Sequence, residues 1–318
     1  MNNSNIVKKN SHIVRKLLIV FSLLTITGLL IFSAIFIVRK VQQNKITIKT
    51  IRDAWIENEK REVKDYNEVY NLSKAFLDDN PYNNTALTYH GYSCFFLAVA
   101  QNDNFQTQEY LDECINNLRL ALYDASKNAA PQIEYMLGKA YFYKNSVSTY
   151  FYSDLAVRYL TQAKQHGYEA DDIAEYLGLS YAALDMTMES ISSFTEALLV
   201  RESDSLLLSI AEQYYKASEY PSSIQYLYRI VNNTENEEML IKSKILLGTI
   251  YIETENYEGA MKEFNDVVAI NDNSADAHYG IGLLYEKQNN TVKARAEWRK
   301  ALKIQPNHAG ALKKLYNN

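Results

Sequence analysis

Proline is rare in these 318 residues, with 4 in all, and glycine is nearly as sparse at 10, while 47% of the residues are hydrophobic. A chain this poor in turn-formers has little room for β-turns and favours long helices. Cysteine is limited to Cys94 and Cys114. They stand too far apart for a Cys-x-x-Cys motif and no His pair accompanies them, so neither a metal motif nor a disulfide framework is read from them. They read as two small buried apolar residues, or as a bridge if their Cα atoms come within about 7 Å. Catalytic signatures are missing too. His12, His90, His166, His278 and His308 form no His-x-x-x-His or His-Glu-x-x-His pair, and there is no Gly-rich phosphate loop or nucleophile elbow. Asn271-Asp272-Asn273 lacks the Gly and terminal Glu of a calcium loop and reads as a helix-helix turn. The expectation is no catalytic residue, no cofactor and no metal.

Tyrosine is the abundant residue, at 26. Its large ring with one polar tip suits amphipathic helices and binding faces. The charge is divided. Residues 1–50 hold eight of the 33 Lys/Arg and no acid, which leaves 25 bases against all 38 acids beyond them, a net of −13. Nucleic acid and anionic lipid head groups would repel so acidic a domain, which excludes a nucleic-acid role.

Leu17 to Val38 is an uncharged run of 22 residues, LLIVFSLLTITGLLIFSAIFIV. As a helix it extends ~33 Å, enough for a hydrocarbon core of ~30 Å. Lys8, Lys9, Arg15 and Lys16 precede it; Arg39, Lys40, Lys45 and Lys49 follow. The run ends Ile35-Phe36-Ile37-Val38, which suits a signal peptidase badly, so it reads as an uncleaved signal-anchor. Residues 1–16 are then a basic tail, 17–38 a transmembrane helix and 39–50 a juxtamembrane segment. Bases on both flanks leave orientation undecided by the positive-inside rule. The default for a short basic tail before one span puts the rest of the chain outside the cytoplasm of a bacterial cell.

The remainder is self-similar. Ile281-Gly282 is followed by Tyr285, Ala294, Trp298, Ala301 and Pro306. Thirty-four residues earlier, Leu247-Gly248 is followed by Tyr251, Ala260, Phe264 and Val267 at the same spacings. The frame recurs at Leu177-Gly178, Tyr181, Ser190, Phe194 and Ala197, and again at Ile210-Ala211, Tyr214, Ser223, Leu227 and Ile230. Upstream it loosens. Leu137-Gly138 and Tyr141 lead to Ala156, Leu160 and Ala163, and His90-Gly91 leads to Cys114, Leu118 and Ala121. The added length falls near Val147–Ser153 and Gln101–Gln108 and is expected in the turns between paired helices. Ile51–Arg61 and Asp65–Asp78 read as a further, degenerate pair.

This pattern resembles the tetratricopeptide repeat, in which a Leu-Gly-x-x-Tyr helix pairs with an Ala-x-x-x-Phe-x-x-Ala helix. The resemblance implies an all-α, right-handed superhelical solenoid of antiparallel helix pairs. It would hold six or seven pairs over 51–308 and end in a capping helix at 309–318. The small residues, Gly282 with Ala294 and Gly248 with Ala260, are expected to let paired helices approach. The large ones, Tyr285 with Trp298 and Tyr251 with Phe264, would fill the space beside that contact. Pro306 ends a helix because it lacks an amide donor. Asp171-Asp172 and Glu237-Glu238 are expected to begin helices, where carboxylates favour the dipole.

In such a solenoid the first helix of each pair lines the concave face. The residues flanking the motif there are Tyr89, Tyr92, Phe95, Phe96, Tyr135, Lys139, Phe142, Tyr143, Tyr176, Glu212, Tyr215 and Tyr279. The Lys/Asn/Arg clamp by which familiar family members hold a C-terminal carboxylate is missing. These rings suit an extended or helical peptide, or a small apolar ligand; equally, they suit the core between repeats. The resulting expectation is a membrane-tethered scaffold for a protein or peptide partner, in envelope assembly, secretion or chaperone recruitment. A ligand-binding accessory of a transport system and a regulator of a membrane enzyme are the alternatives.

Overall fold

The computed structural model describes Thr25, Thr27, and residues 29–35 and 46–316. The rest of the 17–38 run lies outside the described residues. No described helix is long and apolar enough to cross a membrane. Residues 29–35 are helical, and Leu29, Leu30, Ile31, Phe32 and Ile35 are all exposed.

The described residues from 46 onward are helical, with no strand among them, and fall into two compact units, Met1–Ser126 and Lys127–Asn318. The first unit contains α1 (Ile48–Glu59), α2 (Asn67–Asp79), α3 (Asn84–Val99) and α4 (Asn104–Tyr123). The second contains α5 (Ala130–Val147), α6 (Ser153–Gln165), α7 (Ile173–Ala183), α8 (Thr187–Val200), α9 (Asp204–Lys216) and α10 (Tyr220–Asn233). It continues with α11 (Glu237–Glu253), α12 (Tyr257–Ile270), α13 (Ala275–Lys287), α14 (Thr291–Ile304) and α15 (Ala309–Tyr316). Within each unit the helices pair in chain order and each pair packs on the next of that unit, and α15 closes on α14.

Side-chain caps set many of the starts. Asn83, Asp103, Ser203, Asn236 and Ser274 each accept a hydrogen bond from an amide of the first turn they precede. Pro131 and Pro221 sit in first turns, where a missing N–H costs nothing. The cap at Asp103 corrects the expectation of a long turn at 101–108. The turn is only residues 100–103, and the added length is helix, because Asp103 starts α4 early and α4 runs 20 residues. The other insertion is divided: α5 extends to Val147, and residues 148–152 form the turn.

Paired helices come close where small residues meet, and large side chains fill the space beside them. The motif glycine receives the large residue of the partner helix. A Cβ on Gly248 would stand 2.7 Å from the Phe264 ring, and one on Gly138 would stand 2.6 Å from Leu160. Gly178 faces Phe194 and Gly282 faces Trp298 in the same way. Phe264 is shared, since Gly280 of the next pair presses on the same ring. The small residue of the second helix meets backbone instead. Ser190, in that position, donates to the carbonyl of Gly178 (2.8 Å), and Ser223 to that of Ala211 (2.8 Å).

The turn inside four of the pairs is held by one left-handed residue: Asp185, Ser218, Glu255 and Asn289, at φ 55°, 59°, 59° and 60°. In three of these turns the carbonyl of the motif tyrosine (Tyr181, Tyr214 or Tyr285) accepts the amide five residues on (2.8–3.0 Å), the closing bond of a Schellman motif. A residue with a Cβ is strained in this region, Asn least. Glu255→Gly is therefore expected to stabilise the fold by about 1 kcal/mol, and Asn289→Gly by much less. Urea midpoints of the two variants beside the parent check the difference.

Candidate functional site

Residues from α5 and α7 meet on the first-helix side of the second unit. Tyr135, Lys139, Phe142 and Tyr143 lie along α5, where spacings of three and four residues put them on neighbouring positions of the helix. Tyr176 lies on α7, and Asp172 at its N-cap position. The Tyr135 hydroxyl donates to Asp172 Oδ1 (2.6 Å), and Lys139 Nζ donates to Asp172 Oδ2 (2.8 Å). The ammonium also lies 5.1 Å from the Tyr135 ring centroid and 4.7 Å from that of Tyr176. The hydroxyls of Tyr143 and Tyr176 are hydrogen-bonded at 2.9 Å, and the Phe142 ring meets that of Tyr176 edge-on at 4.9 Å. Burial, then the neighbouring Asp172 carboxylate, raises the Tyr135 hydroxyl well above the usual phenol range. Burial and the Tyr143 hydroxyl do the same for Tyr176. Both stay neutral.

Asp172 stands at the start of a helix, as expected. It occupies the N-cap position of α7, but its carboxylate makes no cap bond and is held across the stack by Tyr135 and Lys139. The sequence reading missed this partner because the pairing spans 33 residues.

The other expected face residues divide. Tyr92 and Phe95 are not on an open face: they are 5% and 3% exposed and belong to the core of the first unit. Tyr89 and Phe96 are half-buried around Trp55 of α1, and Phe96 stacks on Tyr66 at 4.3 Å. Tyr215 leans on Tyr220 of its own pair. Glu212 is exposed; desolvation raises its carboxyl against the opposing pull of Lys216 and Lys242. Tyr279 lies beneath the start of α15, 4.9 Å from His308 and against Gly310.

A second cluster lies in the first unit. His90 and Cys94 are one turn apart on α3, and Glu113 faces them from α4. One ligand atom from each lies within 4.8 Å of the other two. His90 Nε2 is 3.0 Å from Glu113 Oε1, and the Tyr70 hydroxyl donates to Glu113 Oε2 (3.0 Å). The His90 contact is the main reason the Glu113 carboxyl sits below its usual range. Cys94 and Cys114 are both free and buried. The sequence carried a signal for this cluster: His-x-x-x-Cys on one helix puts both side chains on the same face.

The model of the TPR repeat matches residues 248–289, and that of the tetratricopeptide repeat matches 275–308. Anaphase-promoting complex subunit CDC16 of Saccharomyces cerevisiae is 26% identical over 147 residues, 45% of this chain. The chain spans only 18% of the length of that protein. Among solved structures, the C-terminal part of a TPR repeat-containing protein from Cytophaga hutchinsonii superposes with a TM-score of 0.58. It is 12% identical, over 85% of this chain and 99% of that one, a likeness of fold alone. YrrB, described as a TPR protein with an unusual peptide-binding site, gives a TM-score of 0.46 at 22% identity, over 61% of this chain and 95% of that one. Residues 248–308, covered between them by the two family models and folded as glycine-faced helix pairs, are tetratricopeptide repeats, and the helices before them in the second unit pair in the same order.

Proposed function

We infer that the chain is a membrane-tethered scaffold whose first-helix face holds a protein or peptide partner. The observation that carries this reading is the organised face on α5 and α7. There a lysine, a carboxylate and three partly buried rings, together with the buried Tyr135, are already fixed by mutual contacts. A surface ordered before binding loses little side-chain entropy when a partner docks, and aromatic groups with hydrogen-bonding tips are the usual anchors of such contacts. The curated relative is, by its name, a subunit of a multi-protein complex, which agrees with a role in assembly. The tether rests on the uncharged run at 17–38 and on the exposed apolar helix surface at Leu29–Phe32, which calls for a nonpolar surrounding. The default for its short basic tail leaves the repeats outside the cytoplasm.

A photo-crosslinking amino acid placed at Phe142 or Tyr215 in the full chain, in native membranes, tests the face. The control position is Glu196 on α8, an exposed second-helix residue. Discrete protein adducts are expected from the two first-helix positions and none from the control. Equal adducts from all three, or none from the first-helix positions, overturn the reading.

A further inference from the structure

We propose that His90, Cys94 and Glu113 form a binding site for a single divalent metal ion of the zinc class. The donors are one nitrogen, one sulfur and one carboxylate oxygen, all within 4.8 Å of each other, a mixed set that suits zinc and its neighbours far better than magnesium or calcium.

The hydrogen-bond accounting around His90 supports this. Ser73 has one hydroxyl hydrogen, and the short contact from its Oγ to the Val69 carbonyl (2.6 Å) claims it. Ser73 Oγ is therefore an acceptor toward His90 Nδ1 at 2.9 Å, so Nδ1 carries the hydrogen. This fixes the ring and leaves Nε2 pointing at the Glu113 carboxylate, 3.0 Å away. Two lone pairs cannot face each other at that distance without a positive centre between them, either a proton or a metal ion. An imidazole whose far N–H is held by a buried oxygen is also how proteins orient a metal-binding histidine. Tyr70 stacks on the ring at 4.9 Å and steadies the carboxylate through its hydroxyl.

Cys94 separates the two cases. An imidazolium-carboxylate pair does not need a thiol one turn away, whereas a metal uses it as a strong ligand once its proton leaves. His90 and Cys94 are 2% and 0% exposed, and Glu113 forms the outer wall. It lines a polar cleft of about 460 Å3 together with Tyr70, Lys74, Gln106, Glu109 and Tyr110. That cleft brings solvent to the Glu113 side of the site. Lys74 sits 3.6 Å from Glu113 but is 55% exposed, so its ammonium swings away when a dication takes its place. Binding releases the Cys94 thiol proton, and the Nε2 proton where one is present, so affinity rises with pH.

The test uses the full chain in detergent, reduced and stripped with a chelator, then titrated with cobalt(II). One equivalent is expected to produce a sulfur-to-cobalt charge-transfer band, bleached by added zinc. The band is expected to vanish in Cys94→Ala and to survive in Cys114→Ala. Ser73→Ala, which removes the oxygen that orients His90, is expected to weaken binding about 10–100-fold while circular dichroism stays unchanged. Cobalt bound without a sulfur band, or a band that survives Cys94→Ala, overturns the proposal in favour of a protonated His90–Glu113 pair. Should Cys94→Ala not fold, Glu113→Gln at the partly exposed wall takes its place. Unchanged cobalt affinity there overturns the proposal equally.

Discussion

Phe264→Ala is expected to be the most damaging single change in the repeats, at about 3–5 kcal/mol. The ring is 1% exposed and fills the space left by the missing side chains of two glycines, Gly248 on its partner helix and Gly280 on the following pair. Truncation empties a cavity that neither glycine can fill, because there is no side chain on either to relax into it. Its neighbours Ala260, Val267, Ala277 and Leu284 lose contacts at the same time. The reverse change, Gly248→Phe, overpacks the same space and is expected to cost about 1–3 kcal/mol or more. Urea unfolding of the full chain followed by circular dichroism measures both. A Phe264→Ala midpoint equal to that of the parent would refute the shared-ring packing.

Lys244→Met is expected to cost about 3 kcal/mol. Lys244 lies on α11, with its side chain only 11% exposed, and donates to Glu263 (2.8 Å) and Asp266 (2.9 Å) on α12. Removing it strands the Glu263 carboxylate, whose side chain is 6% exposed, and breaking a buried pair from one side typically costs 3–5 kcal/mol. The low end applies here because Lys262, 3.6 Å from Glu263 and well exposed, offers partial compensation. Lys244→Met combined with Glu263→Met is expected to recover most of the loss, since two apolar residues avoid the desolvation that the ions incur. A double variant no more stable than the single one would show that the site needs its charges.

The same cluster sets a pH window. The Lys244 hydrogen bond holds the Asp266 carboxyl below its usual range. Its stabilisation is complete above ~3.9 and is lost as pH falls through the lower folded-state value. For Lys244, burial alone would lower the pKa, but the hydrogen bonds it donates to Asp266 and Glu263 outweigh it, so the net shift is upward. That contribution is complete below ~10.4 and is lost as pH rises through the raised value. Unfolding midpoints measured across pH are expected to fall at both ends in the parent, and less steeply at the acid end in Asp266→Asn.

How much of this was legible follows from what each feature depends on. The frame from Leu247 to Pro306 could be read because Gly, Tyr, Phe and Trp recur at spacings set by one helix pair, which is local information. The contact behind the frame could not be read in the same way. The spacing named Gly248 and Ala260 as a close approach, but not that the Phe264 ring enters the space a Cβ on Gly248 would take. The facing of two helices depends on their rotation as well as their spacing. At residues 101–108, counting extra residues could not tell a longer loop from a longer helix, and Asp103 decided for helix. The partner face was half visible. Tyr135, Lys139, Tyr143 and Tyr176 flank the motif and are legible, whereas Asp172, which ties Tyr135 to Lys139, depends on a register between repeats.

The order of packing also bears on how the chain reaches this structure. Within each unit a pair rests on its neighbours in sequence, so nearly every stabilising contact there closes a short stretch of chain. Folding of that kind has little loop entropy to overcome before contacts reward it, and it can start at any well-formed pair and spread in both directions. The 248–308 repeats, with both motif glycines filled by aromatic rings, are the strongest starting point in the second unit. During synthesis, however, the pairs emerge from the N-terminal side, so α5 and α6 are complete long before α13 exists. A nascent second unit therefore presents a bare, apolar helix face at its growing end until the next pair arrives, and α15 covers the one at Trp298 with Ala311 and Leu315.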